Sequence, residues 1–220
     1  MNEVRPHTPA DALRELLDGN ERFITGTRVH PNQDAERRAA LVREQRPFAV
    51  VFGCSDSRLA AEIIFDRGLG DLFMVRTAGH IIGPEVQASI EYGVNVLGVP
   101  LLVVLGHDSC GAIRAAHDAL TGAATPTDGT RAIVDRIWPS FAEHAARAEP
   151  APEPAPVDLN AVAATHVRRT VEELRRSGIE PAVLGGQCLV VGMTYRLAEG
   201  RVSVVAKAEP AQAENDHSGE

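Results

Sequence analysis

Four short runs of uninterrupted apolar residues constrain this 220-residue chain more than any other feature. They are Phe48-Ala49-Val50-Val51-Phe52, Leu72-Phe73-Met74-Val75, Leu101-Leu102-Val103-Val104-Leu105 and Leu189-Val190-Val191. A strand with one wet face alternates apolar and polar residues, whereas a strand apolar at every position needs both faces covered. Segments of helical periodicity separate the runs, at residues 59–65, 84–97, 111–120, 132–146 and 159–176. Strands alternating with helices imply a layered α/β fold, with helices on both faces of a parallel sheet. Upstream, Thr8 can cap a helix, Pro9 suits its first position and Asp11 favours its positive end. Leu13, Leu16, Leu17, Phe23 and Ile24 continue that helix, and a second is expected over 34–43. At the other end, 201–206 reads as a strand reached through the Glu199-Gly200 turn. A hairpin connection makes that strand antiparallel. The expected fold is α/β: a mostly parallel sheet of about four strands with an antiparallel edge strand.

Residues 1–208 are expected to form a single domain. The Pro-rich stretch 149–156 reads as an exposed spacer and the acidic tail 209–220 as disordered. A formal net charge of -8 argues against nucleic acid or an anionic membrane as partner. No apolar run approaches the roughly 20 residues of a membrane span. The N-terminal residues lack the basic and apolar regions of a signal peptide, so a cytoplasmic location is expected. In that compartment three cysteines are too few for a disulfide framework and point to metal or catalysis.

The chemistry concentrates at two strand ends. The first run leads into Gly53-Cys54-Ser55-Asp56-Ser57-Arg58 and the third into Gly106-His107-Asp108-Ser109-Cys110-Gly111. In open α/β sheets ligands gather at the carboxyl ends of strands, so the two segments can meet in one cleft. Two thiolates and one imidazole suit Zn2+, and three protein ligands leave a fourth position open, as catalytic sites do. Zinc so held can bring the pKa of a bound water down toward neutrality and supply hydroxide. Arg58 can hold the Asp56 carboxylate in a bidentate fork. That carboxylate could orient the hydroxide, or swing onto the metal as a fourth ligand in a closed form. As an ordinary surface ion pair the two would contribute only about 0–1 kcal/mol.

These residues resemble the signature of the β-class carbonic anhydrases, most closely the bacterial branch. The resemblance rests on Cys54-Ser55-Asp56-Ser57-Arg58 and His107-Asp108-Ser109-Cys110-Gly111. It extends through Gly19-Asn20-Glu21-Arg22-Phe23, His30-Pro31-Asn32-Gln33, Arg76-Thr77-Ala78-Gly79-His80 and Ser89-Ile90-Glu91-Tyr92. It implies reversible hydration of CO2 to bicarbonate and a proton. It also implies Cys54, His107 and Cys110 as zinc ligands, with Asp56 and Arg58 as a catalytic dyad. Gln33 matches a substrate-holding glutamine, and the Gly111 amide matches a donor to bicarbonate. Phe73, Ala78 and Tyr92 match cleft-lining residues at a dimer interface, which implies a homodimer or a dimer of dimers. Two other readings are hydrolysis of CS2 or COS on the same site, and a non-catalytic zinc-stabilised sensor. The intact dyad and Gln33 argue against the sensor. Cys188, beside an apolar run, reads as a small buried hydrophobe. His117, His144 and His166 read as structural residues; His80 stays open because it lies in a matched motif.

Overall fold

The computed structural model describes residues 5–147 and 156–208. The acidic tail and all of the Pro-rich spacer except Pro156 lie outside them. A five-stranded sheet runs through the molecule in the order β2-β1-β3-β4-β5. Its strands are β1 (Ala49–Cys54), β2 (Leu72–Thr77), β3 (Leu101–His107), β4 (Leu189–Arg196) and β5 (Arg201–Ala208). The first four are parallel, and β5 pairs antiparallel with β4. The apolar runs therefore became the parallel strands, and the hairpin strand took the edge.

Residues of one strand serve two cores in alternation. Ala49, Val51, Leu101, Val103, Leu105, Val191 and Met193 face one cluster. Val50, Phe52, Leu102, Val104 and Val190 face the other. The first face is covered by α1 (Pro9–Thr25), α3 (Ala61–Ile64), α5 (Gly111–Leu120) and α6 (Asp128–Arg147). The second is covered by α4 (Pro84–Glu91) and α8 (Glu180–Leu184), while α7 (Leu159–Arg175) contributes to both cores. Fully burying one such side chain stabilises by about 1.5–3 kcal/mol, so the doubly covered strands dominate the stability. The Thr8 side chain accepts from the Asp11 amide at 3.1 Å, and Asp34 caps α2 (Ala35–Ala40) in the same way.

Several boundaries differ from the sequence expectation, each for a local reason. The helix expected over 59–65 shrinks to α3. The Asp56 side chain accepts from the Arg58 amide and its carbonyl from the Leu59 amide, which turns residues 56–59 into a tight corner. The helix expected over 84–97 ends at Glu91 and widens into a π turn over Tyr92–Val96, closed by Leu97 N–H to Tyr92 C=O at 3.1 Å. Such widened turns occur frequently at functional sites. α7 lies close over β3 because Gly106 has no side chain: a Cβ there would meet Val167 Cγ2 at 2.4 Å. This close approach carries the α7 side chains down to the carboxyl ends of the strands.

Candidate metal centre

β1 sits at the point where the strand order changes direction, with β2 on one side and β3 on the other. A crevice at the carboxyl ends of β1 and β3 follows from that topology. Cys54 is the last residue of β1 and His107 the last of β3, and Cys110 precedes α5. Their Sγ, Nε2 or Nδ1, and Sγ atoms lie within 4.8 Å of one another, and all three residues are buried. Three donor atoms this close to one another are near enough to share one ion.

The imidazole settles the fit. His107 Nδ1 lies 2.8 Å from the Asp108 carbonyl, which can only accept, so Nδ1 carries the proton. Nε2 is left as a bare lone pair on the thiol side, buried and without a hydrogen-bond partner among the described residues. A histidine fixed through one nitrogen to a carbonyl, with the other free, is the usual form of a metal ligand. The sulfurs are prepared as well. The Gly79 amide donates to Cys54 Sγ at 3.3 Å. The Cys110 thiol, His107 and the Gly79 amide lie close to Cys54 and favour its charged form, while Cys54 and burial push the Cys110 pKa up. The donor set therefore fits zinc.

Asp56 lies on the rim, its Oδ2 3.9 Å from His107 Nε2. Arg58 donates to it twice, Nε to Oδ1 at 2.9 Å and an Nη to Oδ2 at 2.7 Å, and the Arg58 amide adds a third bond to Oδ1 at 2.9 Å. The side-chain bonds from Arg58 are the chief reason the carboxyl stays well below the usual carboxylate range. The ligand-bearing loops are held from several sides by residues for which the sequence offered no role. Arg76 on β2 donates to the Cys54 carbonyl at 3.1 Å and the Asp56 carbonyl at 2.7 Å. Asn160 at the start of α7 accepts from the Ser109 amide at 3.0 Å, and Ser109 sits at φ 51°, a left-handed conformation that needs such support. The Asp108 side chain turns away to the Leu197 amide at 2.9 Å. Arg76 and Gly79 lie in a motif that the sequence flags; Asn160 carries no local signal.

The remaining candidates divide. Gly111 is exposed and opens α5, where first-turn N–H groups have no intrahelical acceptor. Ala78 is exposed one residue before Gly79. Phe73 and Tyr92 pair with ring centroids 6.2 Å apart, and Phe73 packs into the core on the other face from the one that holds Cys54. Gln33 donates to the Arg67 carbonyl at 3.5 Å. Among the described residues no hydrogen bond or ion pair joins Gln33, Phe73 or Tyr92 to the cysteine–histidine cluster. Cys188 is buried, its thiol pushed up to about 12 by desolvation, which matches its reading as an inert apolar residue.

Comparison with known proteins agrees with this geometry. A family model described as carbonic anhydrase matches residues 49–202, spanning β1 into β5. A carbonic anhydrase of Mycolicibacterium smegmatis is 48% identical over 200 residues, covering 89% of this chain and 93% of the relative. Carbonic anhydrase 2 of Mycobacterium tuberculosis is 47% identical over 203 residues with the same coverage. Among solved structures, a tetrameric β-carbonic anhydrase from Sordaria macrospora superposes with a TM-score of 0.66 at 23% identity, covering 90% of this chain and 98% of that one. Its low identity supports the fold alone. A shared architecture, bacterial relatives matched over nearly their full length and a zinc-competent cluster at the expected strand ends together establish that the chain belongs to the β-class carbonic anhydrase family.

Proposed function

We propose that this protein is an enzyme that interconverts CO2 and bicarbonate plus a proton, with Cys54, His107 and Cys110 holding one zinc ion. The observation that carries this reading is the bare, buried His107 Nε2 facing two sulfurs beside a carboxylate fixed by arginine. Zinc held by this set would supply a Lewis acid that lowers the pKa of a bound water toward neutrality, less strongly than an all-histidine site because two thiolates donate charge to the ion.

The chain's own residues supply orientation. With both Asp56 oxygens engaged by Arg58, the carboxylate cannot rotate freely, and its remaining lone pairs have a set direction. It can accept a hydrogen bond from water at the rim and aim that oxygen at CO2. Arg58 is itself steadied by the Ser109 carbonyl at 3.3 Å, so the fork spans both ligand loops. The Gly111 amide, at the positive end of α5, suits an anionic product. Hydration of CO2 by the zinc-loaded protein, followed by stopped flow, tests the reading; zinc-loaded protein with no rate above buffer would reject it.

We further propose a homodimer, alone or doubled into a tetramer. The edge strand β2 presents half-buried Leu72, Phe73 and Met74, and beside it Tyr92 and Val96 are 45% and 66% exposed. A second copy would cover this surface and bring Gln33, Phe73 and Tyr92 to a shared cleft. The Sordaria relative is described as tetrameric. Sedimentation of the active enzyme as a monomer would contradict the proposal. Among the described residues no helix is long and apolar enough to cross a membrane. The cysteines are all unpaired, and on that basis we place the protein in the cytoplasm.

A further inference from the structure

Resting on the zinc reading above, we propose that His166 and Ser140 are positioning residues for the Cys54 sulfur, acting through a Gly79 backbone clamped at both ends. Three buried hydrogen bonds form the connection. The Gly79 N–H donates to Cys54 Sγ at 3.3 Å, the Gly79 carbonyl lies 3.0 Å from His166 Nε2, and His166 Nδ1 lies 2.9 Å from Ser140 Oγ. The directions follow from the atoms. A carbonyl only accepts, so His166 Nε2 carries the proton; in the neutral ring Nδ1 is then an acceptor, and the Ser140 hydroxyl donates to it. Burial holds the His166 pKa down to about 4, which keeps the ring neutral at neutral pH, and the two hydrogen bonds select the tautomer. Ser140 is fully buried on α6 and His166 is buried on α7.

Gly79 needs the clamp. Its φ is 69°, and a Cβ would meet Ala112 Cβ at 2.8 Å and Ile137 Cδ1 at 3.0 Å, so no other residue fits without displacement. His80 follows at φ 41°. Glycine takes this conformation freely, but His80 carries a Cβ and stores strain there, which persists only where the surroundings over-determine it. Here the surroundings are His166 on the carbonyl, Cys54 on the amide, and the His80 ring packed 4.5 Å from His166 and 6.1 Å from Phe52. Glycine is the softest residue about its backbone dihedrals. Without the imidazole, the Gly79 carbonyl loses its hydrogen-bond partner among the described residues, and its N–H is aimed at the sulfur less firmly. An N–H that points at a thiolate withdraws charge from it, so the contact between α6 and α7 sets how strongly Cys54 donates to the metal.

A purely structural role, tying α6, α7 and the 78–80 turn together, would lower stability and leave the metal's electronic environment alone. The test therefore reads cobalt(II), substituted for zinc, through its thiolate-to-metal charge-transfer absorption, with zinc affinity measured by chelator competition. His166→Leu removes the donor at similar bulk, His166→Gln keeps an N–H near the Nε2 position, and Ser140→Ala removes the bond that fixes the tautomer. The expected result in His166→Leu is a charge-transfer band at lower energy, because the sulfur keeps more charge, and an apparent zinc affinity at neutral pH weakened about 10–100-fold, because the same sulfur holds its competing proton more tightly. Ser140→Ala should move the same way by less, and His166→Gln should recover most of the wild-type signal. Wild-type bands and affinity in folded His166→Leu or Ser140→Ala would overturn the proposal. If His166→Leu does not fold, an unchanged band in Ser140→Ala overturns it alone. Wild-type protein that takes up no cobalt would instead overturn the zinc reading, and this inference with it.

Discussion

His107 and His166 are both buried imidazoles with one ring nitrogen tied to a backbone carbonyl, His107 Nδ1 to Asp108 at 2.8 Å and His166 Nε2 to Gly79 at 3.0 Å. They differ in what the second nitrogen meets. For His107 it is two sulfurs and a carboxylate edge, with no hydrogen-bond partner among the described residues. For His166 it is the Ser140 hydroxyl. The neighbourhoods differ in the same sense. Around His107 the charged Asp56–Arg58 fork stands at the surface, with Arg58 half exposed. Against His166 packs His80, which in turn meets Phe52 and has both ring nitrogens buried without a hydrogen-bond partner among the described residues. Residue type and burial are alike in the two places. The direction of one lone pair, and whether a proton donor already fills it, leaves one imidazole open to a metal ion and commits the other to holding a backbone carbonyl in place.

The largest test of that contrast removes the ligands. Cys54→Ala, His107→Ala or Cys110→Ala should each lose zinc and activity together, by more than the about 10–100-fold that follows loss of a hydrogen-bond partner. Elemental analysis checks this, and full zinc content in any of the three would break the comparison.

Next in size is the fork. Asp56→Asn keeps shape and removes the charged acceptor; losing one positioned polar group at a reacting centre costs about 10²–10³ in rate. Arg58→Ala should cost a similar factor, because it frees the carboxylate to reach the metal. The double variant should be little worse than either single one, since both act through one carboxylate. Zinc content should stay near one per chain in all of them. Near-native hydration rates in zinc-loaded Asp56→Asn would return the pair to the rank of a surface contact.

A third effect concerns stability in acid and singles out the His166 side. Burial depresses the His166 pKa from an unfolded value of about 6.5 to about 4. Its contribution is therefore fully present above pH 6.5 and is lost as the pH falls toward 4, because only the unfolded chain takes up the proton easily. The full swing is on the order of 3 kcal/mol. His80, desolvated completely, acts in the same direction. Denaturant unfolding of wild type and His166→Gln at pH 7 and pH 4.5 should show the variant losing less stability on acidification. Equal losses would mean that His166 does not stay neutral in the folded state.

The smallest effect belongs to Cys188, a buried thiol with no imidazole or second sulfur in its cluster. Cys188→Ala should leave zinc at one per chain and the hydration rate unchanged, with a stability loss of about 1 kcal/mol from the vacated volume. A changed zinc stoichiometry would show that thiol burial alone recruits metal, which the contrast denies.

Much of this was legible in the chain itself. Continuous apolar runs fix parallel strands because a residue apolar on both sides has nowhere else to go, and all four runs became strands. The hairpin turn fixed the direction of β5. The spacing of Cys54-X-Asp56-X-Arg58 and His107-X-X-Cys110 pointed to the place where Cys54, His107 and Cys110 come together, because residues at strand ends keep a predictable place in an α/β sheet. What sequence could not supply was any relation set by a long-range approach. The widened turn at Tyr92–Val96 and the loss of helix at residues 59–60 are local departures from the expected period; the pinning of the loops by Arg76 and Asn160 and the clamp from His166 to Gly79 join segments far apart in the chain. Their partners are chosen by which atoms the closed sheet and its helices bring within about 3 Å, the reach of a hydrogen bond. A one-dimensional pattern carries residue type and period; only the packed molecule decides where each lone pair and each N–H points.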